Sequence, residues 1–365
     1  MPRIALFTGD GVGPEVVAET LKVLRAVERR YGYAFQFESL AIGGDALDRF
    51  GVPLRSEDIE ATRRADAALL GAVGGPSWDG VEPSLRPERG LLQIRKALAL
   101  FANLRPVSVL PSLVGESPLK PEIVANVDLL VVRELTGGIY FGEPSRRWTD
   151  AEGRAAVDTL TYRENEIERV VRLAFELAQT RQGRLASVDK SNVLQSSRLW
   201  REIAIEVSVD YPQVHLEHVL VDAMAMHLIK NPGRFDVIVT ENMFGDILTD
   251  EASVLSGSIG LLPSASLGNR KGHAAGTRFG LYEPIHGSAP DIAGQGKANP
   301  TGTMLSAALM LRWSLALDDA AVAIEHAVAG TIAAGVRTPD ILDAGMNPVT
   351  TSEFGDEVAR RVAAS

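Results

Sequence analysis

The feature that most constrains the fold is the alternation of strand-like and helix-like segments along all 365 residues. Short apolar runs such as Ala65 to Leu70 and Val127 to Val132 favour buried strands, and amphipathic stretches such as Pro14 to Arg30 and Glu164 to Thr180 favour helices. This alternation is typical of α/β proteins with a mostly parallel sheet. Because a chain of this length rarely builds one core, we expect two domains.

Further segments carry the same two patterns. They predict strands at Arg3 to Thr8, Leu185 to Val188 and Phe235 to Val239, and helices at Leu91 to Leu100, Ser191 to about Val207, Val219 to Ile229, Ile247 to Leu255, Pro300 to Leu317 and Ala320 to Ala334. Arg105 precedes Pro106 and is predicted to lie near the end of the helix that starts at Leu91.

Composition narrows the function classes. The 47 acidic and 37 basic residues give a net charge of −10, which disfavours a nucleic-acid partner. The chain has no cysteine, which excludes disulfides and thiolate chemistry and fits a reducing compartment. The N-terminal apolar segment is too short for a signal peptide, and no apolar run reaches membrane-spanning length. We therefore expect a cytoplasmic protein with no membrane partner.

An acidic pair follows the predicted strand at Phe235 to Val239. Asp246 and Asp250 are four residues apart and would share one face of a helix. Like charges at this spacing repel each other, so a divalent metal with oxygen ligands is a natural partner. The alternative is a solvated acidic helix face.

Three arginines are candidates for holding an anionic substrate. Arg95 lies in a predicted helix, Arg105 lies near Pro106, and Arg133 ends a predicted buried strand. Because guanidinium groups bind carboxylates bidentately, three of them could hold a diacid. The alternative is internal pairing with the acidic excess.

Three other polar residues stand in unusual settings. Tyr140 follows a glycine pair, Lys190 is predicted at a helix start, and Asp222 lies in an apolar helical segment. Lysine is electrostatically unfavourable at a helix N-terminus, and a carboxylate among apolar residues needs a metal or a base. Tyrosine and lysine can exchange protons, although packing and a solvated charge are their commoner roles.

Two glycine-rich segments could approach a ligand. The spacing Gly9-Asp10-Gly11-Val12-Gly13 is GxGxG, which does not match the GxGxxG dinucleotide fingerprint and equally suits a tight turn. The segment from His286 to Gly294, followed by Asn299, offers small residues and hydrogen-bonding side chains. In it, Asp291 would accept hydrogen bonds from ribose hydroxyls and repel a 2′-phosphate, although a turn-rich loop has the same composition.

Together these segments closely resemble the β-decarboxylating dehydrogenases, the isopropylmalate/isocitrate family, over nearly the whole chain. The most specific block runs from Asn242 to Gly260, and the segment Arg86 to Lys96 distinguishes members by substrate. There, Leu91 and Leu92 offer an apolar wall, whereas members that bind a third carboxylate usually carry serine or arginine. Two loops depart mildly from the family pattern, Ser145 to Arg147 and Asn269 to Gly276.

The resemblance implies a role for each candidate residue. Lys190 would be the base and Tyr140 would protonate the enolate carbon. The implied substrate contacts are Arg95, Arg105, Arg133, Glu88, Leu91, Leu92, Val193 and Asp222. The implied ligands of Mg²⁺ or Mn²⁺ are Asp222, Asp246 and Asp250. The implied NAD contacts are Val12, Gly13, His286, Gly287, Ser288, Ala289, Pro290, Asp291, Ile292 and Asn299.

The resemblance also implies an architecture and a reaction. The fold would be a two-domain α/β fold with a large mixed, mostly parallel sheet, not a Rossmann fold. Residues 1–100 with 253–365 would bind NAD, and residues 101–252 would carry a dimerisation arm. Family members are homodimers that share Lys190, Val193 and Asp222 across the interface. The expected reaction is NAD-dependent oxidative decarboxylation of 3-isopropylmalate to 4-methyl-2-oxopentanoate and CO₂ in leucine biosynthesis. The alternatives are another 2-hydroxy diacid such as tartrate, malate or homoisocitrate, a non-catalytic regulatory subunit, or, more remotely, a metal-dependent phosphatase.

Overall fold

The computed structural model describes residues 1–343 and 345–364 and divides them into two compact units. Unit 1 contains residues 1–100, 110–116 and the chain from residue 256 onward. Unit 2 contains residues 101–109 and 117–255. Unit 1 is therefore assembled from both ends of the chain. The assignment of NAD binding to one domain and dimerisation to the other stays a prediction.

The strands are numbered in chain order. They are β1 (Arg3–Gly9), β2 (Gln36–Leu40), β3 (Ala67–Ala72), β4 (Leu100–Ser108), β5 (Asp128–Glu134), β6 (Arg146–Asp150), β7 (Gly153–Val157), β8 (Arg184–Asp189), β9 (His215–Leu220), β10 (Val237–Thr240), β11 (Pro263–Lys271) and β12 (Arg278–Pro284). In unit 1 their order is β2-β1-β3-β12-β11, with only β11 antiparallel to its neighbour β12. In unit 2 one sheet has the order β4-β5-β10-β8-β9, in which β4 is antiparallel to β5 and the other pairs are parallel, and β6 and β7 form a separate antiparallel pair. The predicted α/β class with a mixed, mostly parallel sheet is confirmed.

The first nine helices lie between strands in sequence, and the last three follow β12. They are α1 (Gly13–Tyr31), α2 (Gly43–Phe50), α3 (Ser56–Arg64), α4 (Pro87–Ala97), α5 (Pro121–Val124), α6 (Glu164–Gln179), α7 (Gln195–Ser208), α8 (Val221–Lys230), α9 (Asn242–Ser253), α10 (Thr301–Trp313), α11 (Asp318–Ala333) and α12 (Thr351–Ala364). The central strands are the buried ones, as in β3 and β10, where every residue is buried. Within the described part of the chain, no helix is both long and apolar enough to cross a lipid bilayer.

Two segments near candidate residues differ from the sequence prediction. The predicted helix from Leu91 to Leu100 ends at Ala97, because Ala99 has a positive φ of 51° and Leu100 starts β4. Arg105 therefore lies within a strand and not near a helix end, and it pairs with Val131 of β5.

The predicted helix at Ser191 is also placed wrongly. α7 begins at Gln195, because the Asp189 carboxylate accepts the Ser191 N–H and the Lys190 carbonyl accepts the N–H groups of Val193 and Leu194. Lys190 consequently lies in a turn and not at a helix start.

Two other predicted helix starts are shifted. β9 continues to Leu220, so α8 starts two residues later than the predicted Val219. α9 starts at Asn242, five residues before Ile247, because the Glu241 carboxylate accepts the Phe244 N–H at 2.7 Å and caps the helix. The earlier start places Asp246 and Asp250 on one helix, one turn apart.

Candidate functional site

A network of polar side chains joins the end of β5 to α9 in unit 2. The Arg133 side chain is only 7% exposed, and its Nε donates to Asn242 Oδ1 at 3.0 Å while its Nη1 donates to Asp246 Oδ1. Tyr140 Oη donates to Asp246 Oδ2 at 3.1 Å. Partial burial and the neighbouring Asp246 carboxylate raise the pKa of Tyr140, so the phenol keeps its proton at neutral pH. The network therefore joins a buried cation, a carboxylate and a protonated phenol.

Arg105 extends this network from the adjacent strand. Its Nε donates to Asn103 Oδ1 at 2.7 Å, and its Nη1 donates to Thr249 Oγ1 at 2.6 Å. Its guanidinium group also lies 3.4 Å from Asp250 Oδ1 and 3.7 Å from Asp246 Oδ1. Arg105 and Arg133 are thus brought together with the acidic pair of α9. Within one chain both arginines form ion pairs with these aspartates, as the alternative of internal pairing predicted.

The donor chemistry of α9 fits a hard divalent cation. Asp246 and Asp250 supply carboxylate oxygens, which Mg²⁺ and Mn²⁺ prefer, and the Asp250 side chain is 68% exposed. Among residues 1–343 and 345–364, no group of three or more His, Asp or Glu side chains is arranged to hold a metal. The third predicted ligand, Asp222, pairs with Lys190 instead. One chain therefore brings together two of the three predicted ligands.

Lys190 and Asp222 form a separate pair in unit 2. Lys190 Nζ donates to Asp222 Oδ1 at 2.5 Å, and this hydrogen bond lowers the pKa of Asp222. Asp222 lies in the first turn of α8 and Lys190 lies in the turn after β8. Val193, in the same turn, is 62% exposed. The arrangement presents an amine and an apolar side chain from one short segment.

The loop that carries Tyr140 is held by a buried carboxylate. Glu134 accepts the N–H groups of Thr136 and Gly137, each at 2.8 Å, and lies 3.6 Å from Arg169. Burial raises the pKa of Glu134 above its usual value of 4.5. The Gly137 carbonyl in turn accepts from Asn242 Nδ2 at 3.1 Å, which ties this loop to the start of α9.

Glu134→Gln should make the protein's stability less dependent on pH. Because the folded pKa of Glu134 is raised, its contribution is fully present below the unfolded value and is lost as pH rises through the folded value. The neutral amide avoids that loss, which is about 1.4 kcal/mol for every tenfold difference between the folded and unfolded acid dissociation constants. Urea unfolding from pH 4.5 upward checks this. A wild-type minus variant difference that does not fall as pH rises would contradict it.

Four predicted substrate residues lie on α4 in unit 1. Glu88 and Arg95 each lie three or four residues from Leu91 and Leu92, so all four share one side of the helix. Arg95 Nη2 donates to Glu283 Oε1 at 2.5 Å, whereas its buried Nε has no hydrogen-bond partner among the described residues. Leu91 and Leu92 are partly exposed. This helix thus presents an apolar surface beside a cation with a spare donor.

The predicted cofactor residues of unit 1 meet between the β1–α1 turn and a loop after β12. Val12 N–H donates to the Ser288 carbonyl at 2.8 Å, and a side chain at Gly11 would collide with that carbonyl, since its Cβ would lie 2.0 Å away. Val12 packs in one apolar cluster with Ala289 and Ile292. Pro290 and Asp291 lie in the same loop. Two glycine-containing backbone segments therefore lie in direct contact.

His286 and Asn299 flank this contact. His286 Nδ1 lies 2.8 Å from the Gly287 carbonyl, and its buried Nε2 has no hydrogen-bond partner within the described part of the chain. Burial lowers the pKa of His286, so the ring is neutral at pH 7. Asn299 Nδ2 donates to Asp340 Oδ2 at 3.0 Å. An orphaned ring nitrogen near glycine-rich backbone fits a ligand that offers hydrogen-bonding groups, as a nucleotide does.

Sequence reasoning missed the residues that hold these candidates in place. They are Asp10, Glu134, Asp189, Arg201, Glu241, Asn242, Glu283 and Asp340. Asp10 is typical: it is 4% exposed and accepts the N–H groups of Gly44 and Gly74, each at 2.8 Å. The only signal in the sequence was a carboxylate between two glycines, which a surface turn also shows.

Solved structures of dehydrogenases share this fold. Isocitrate dehydrogenase from Methylococcus capsulatus aligns with a TM-score of 0.85 at 33% identity, covering 100% of both chains. The β-decarboxylating dehydrogenase from Thermococcus kodakarensis, in its apo form, aligns with a TM-score of 0.79 at 34% identity, covering 100% of this chain and 97% of the other. The likeness to these solved structures over the whole chain indicates the class of the protein, an α/β dehydrogenase.

The sequence comparisons are more specific. A family model described as isocitrate/isopropylmalate dehydrogenase matches residues 3–358. 3-Isopropylmalate dehydrogenase from Carboxydothermus hydrogenoformans is 57% identical over 99% of this chain and 94% of its own length. The enzyme of that name from Shouchella clausii is 58% identical over 99% of this chain and 97% of its own. The chain belongs to the isocitrate/isopropylmalate dehydrogenase family, as the resemblance predicted.

Proposed function

We propose that the protein oxidatively decarboxylates (2R,3S)-3-isopropylmalate to 4-methyl-2-oxopentanoate and CO₂ with reduction of NAD, a cytoplasmic step of leucine biosynthesis. Its full-length likeness to relatives named for this activity supports the proposal. The observation that most supports this choice of substrate is the surface of α4, where Leu91 and Leu92 lie beside Arg95. An isopropyl group needs such an apolar wall, and a carboxylate needs the cation.

The substrate carboxylates are bound by the three arginines in this mechanism. Arg133 and Arg105 already hold carboxylates within unit 2, and Arg95 has an unused donor. Guanidinium groups position a diacid with defined orientation, which lowers the entropic part of the barrier. We assign all three to substrate binding.

Proton transfers are assigned to Lys190 and Tyr140. In its neutral amine form, Lys190 Nζ takes the proton of the C2 hydroxyl while the C2 hydrogen leaves as hydride. The electrons of the bond to the departing CO₂ then remain on carbon C3, which takes a proton from Tyr140 Oη. Asp246, Asp250 and Asp222 would hold Mg²⁺ or Mn²⁺, which would supply Lewis acidity, and bound NAD would be the hydride acceptor.

We further propose a homodimer whose protomers share active sites. Four large apolar side chains on or beside α8 and α9 are exposed, namely Met226, Ile229, Ile247 and Val254, each by 50% or more. Asp222 also stands apart from any metal-capable group of its own chain among the described residues. A partner that covers this face and supplies its Lys190, Val193 and Asp222 would account for both features.

A substrate panel tests the function. Purified protein with Mg²⁺ and NAD is offered 3-isopropylmalate, isocitrate, homoisocitrate, tartrate and malate, and NADH absorbance is followed. We expect 3-isopropylmalate to give the highest kcat/KM. A higher value for another diacid would reassign the substrate, and no turnover with any of them would favour a non-catalytic subunit. A parallel assay supplies p-nitrophenyl phosphate, and release of phosphate from it without an NADH signal in the panel would indicate the phosphatase alternative.

A strong preference for NAD over NADP is expected from Asp291. Its exposed carboxylate would repel a 2′-phosphate and accept from ribose hydroxyls. Asp291→Asn should therefore reduce the preference, about tenfold or more in the ratio of kcat/KM values, for a loss of about 1.4 kcal/mol in discrimination. Steady-state kinetics with both cofactors checks this, and equal efficiency with both in the wild type would contradict the assignment.

A further inference from the structure

An ion pair between a buried carboxylate and a partly exposed guanidinium lies next to Lys190 and has no part in the chemistry assigned so far. Asp189, the last residue of β8, is 1% exposed. Its carboxylate accepts from Arg201 Nε at 2.8 Å and from Arg201 Nη2 at 2.9 Å. This is a bidentate pair, the arrangement that fixes a guanidinium and a carboxylate most rigidly.

The same carboxylate holds the turn that carries Lys190. Asp189 Oδ1 also accepts the Ser191 N–H at 2.9 Å. The Lys190 carbonyl accepts the N–H groups of Val193 at 3.0 Å and Leu194 at 2.9 Å. The carbonyl and the N–H of the peptide group that follows Lys190 are therefore both held by hydrogen bonds, which restricts where its side chain starts.

Arg201 connects this turn to a firmly seated helix. It lies on α7, whose residues Trp200, Ile203 and Ala204 are buried. Trp200 Nε1 donates to Ser187 Oγ on β8 at 3.1 Å. Because α7 packs firmly on β8, the pair of Arg201 and Asp189 holds the turn in one position.

We propose that the ion pair of Asp189 and Arg201 positions Lys190 for proton abstraction, an inference that rests on the proposed function. Lys190 Nζ ends 2.5 Å from Asp222 Oδ1, and its side chain is 26% exposed, so the turn and one carboxylate define its location. Neither Asp189 nor Arg201 touches the reacting atoms in this proposal. Both are positioning residues, and losing them displaces the amine from the C2 hydroxyl.

The chain offers a control ion pair at the opposite end of β8. Asp236 precedes β10, is 1% exposed, and accepts from Arg181 Nε at 2.7 Å. Its Oδ2 accepts the Gln182 N–H at 2.9 Å and the Arg184 N–H at 3.3 Å at the start of β8. The pair of Arg181 and Asp236 thus also combines a buried carboxylate, a guanidinium and backbone contacts, at the end of β8 that is remote from Lys190. One hydrogen bond joins its two side chains instead of two, and Arg181 Nη2 donates to Asp128.

The test compares Arg201→Gln with Arg181→Gln. Both are expected to lower the midpoint of thermal unfolding, since each leaves a buried carboxylate without its cation. Only Arg201→Gln is expected to lower kcat, by about 10- to 100-fold, because small misplacement of a reacting group is costly. KM for NAD and for substrate should change by less than about threefold, and Arg201→Lys should recover part of kcat.

A kinetic isotope effect separates mispositioning from loss of folded enzyme. With substrate deuterated at C2, Arg201→Gln should show a larger isotope effect on kcat than the wild type, because the chemical step becomes limiting. A smaller folded fraction would lower kcat and leave the isotope effect unchanged. Wild-type kcat and isotope effect in Arg201→Gln, or the same changes in Arg181→Gln, would overturn the proposal.

Two further measurements cover a variant that does not fold and a wild type that does not oxidise 3-isopropylmalate. If Arg201→Gln does not fold, the double variant Asp189→Asn with Arg201→Gln, which leaves no buried charge, should show the same fall in kcat, and wild-type kcat there would overturn the proposal. Wild-type turnover is measured first. If 3-isopropylmalate is not oxidised, the proposed substrate fails, and the variants are compared on the diacid that is oxidised. A wild type that oxidises none of the panel would overturn both proposals.

Discussion

Lys190→Met is expected to abolish measurable NADH formation, with a loss in kcat of about 10²- to 10⁴-fold, the usual contribution of a positioned general base. The amine has a defined location, because its turn is fixed by main-chain hydrogen bonds and its Nζ lies 2.5 Å from Asp222 Oδ1. Methionine keeps most of the length of the side chain and removes the nitrogen. The fold should survive, since the lysine side chain is partly exposed.

NADH absorbance measures the loss of activity, and circular dichroism measures whether the variant is folded. Lys230→Met is the control, because Lys230 ends α8 in the same unit and is exposed. That variant should keep wild-type turnover. Near wild-type kcat in Lys190→Met, with the control also active, would reject the role of Lys190 as the base.

The sequence predicts most of the elements because burial periodicity is local information. Runs such as Val127 to Val132 predict strands because their side chains are mostly apolar on both faces. Local patterns fail where a side chain decides where an element starts. α9 starts early because Glu241 caps it, and α7 starts late because Asp189 holds the preceding turn. Both contacts span only two or three residues, but glutamate is not among the favoured helix-capping residues and an aspartate in this setting fits several turn types.

The residues of the candidate site also differ in how far the sequence predicts them. Chemically distinctive residues such as Tyr140, Lys190 and the two aspartates of α9 stand out by type and setting. Glu134, Asn242 and Arg201 do not, since their roles depend on partners distant in sequence, such as Asn242 for Arg133. Short-range spacing predicts which groups carry chemistry, whereas the network that orients them depends on long-range packing.

Asp246→Asn is the second variant expected to lose activity almost completely, by about 10²-fold or more. Asp246 accepts from Tyr140 at 3.1 Å and from Arg133, and it is a proposed metal ligand. The amide has no charge for a divalent cation and replaces one acceptor oxygen with a donor. Isothermal titration calorimetry with Mg²⁺ should show weaker binding in this variant than in the wild type, and wild-type binding in Lys190→Met. Asp210→Asn, at an exposed surface pair with Arg172, is the control and should titrate as the wild type does.

Mixing the two inactive variants gives the sharpest expected result, because it depends on how the sites are built. If Lys190 of one protomer serves the site that contains Asp246 of the other, a heterodimer of Lys190→Met and Asp246→Asn has one intact site and one doubly altered site. After unfolding and refolding together at equal amounts, about half of the dimers are mixed, so about a quarter of wild-type activity should return. If each site were built from one chain, every site in the mixture would carry a defect and no activity would return. Light scattering of the refolded sample must show dimers. Dimers with no recovered activity would rule out shared sites, even if each variant alone behaves as expected.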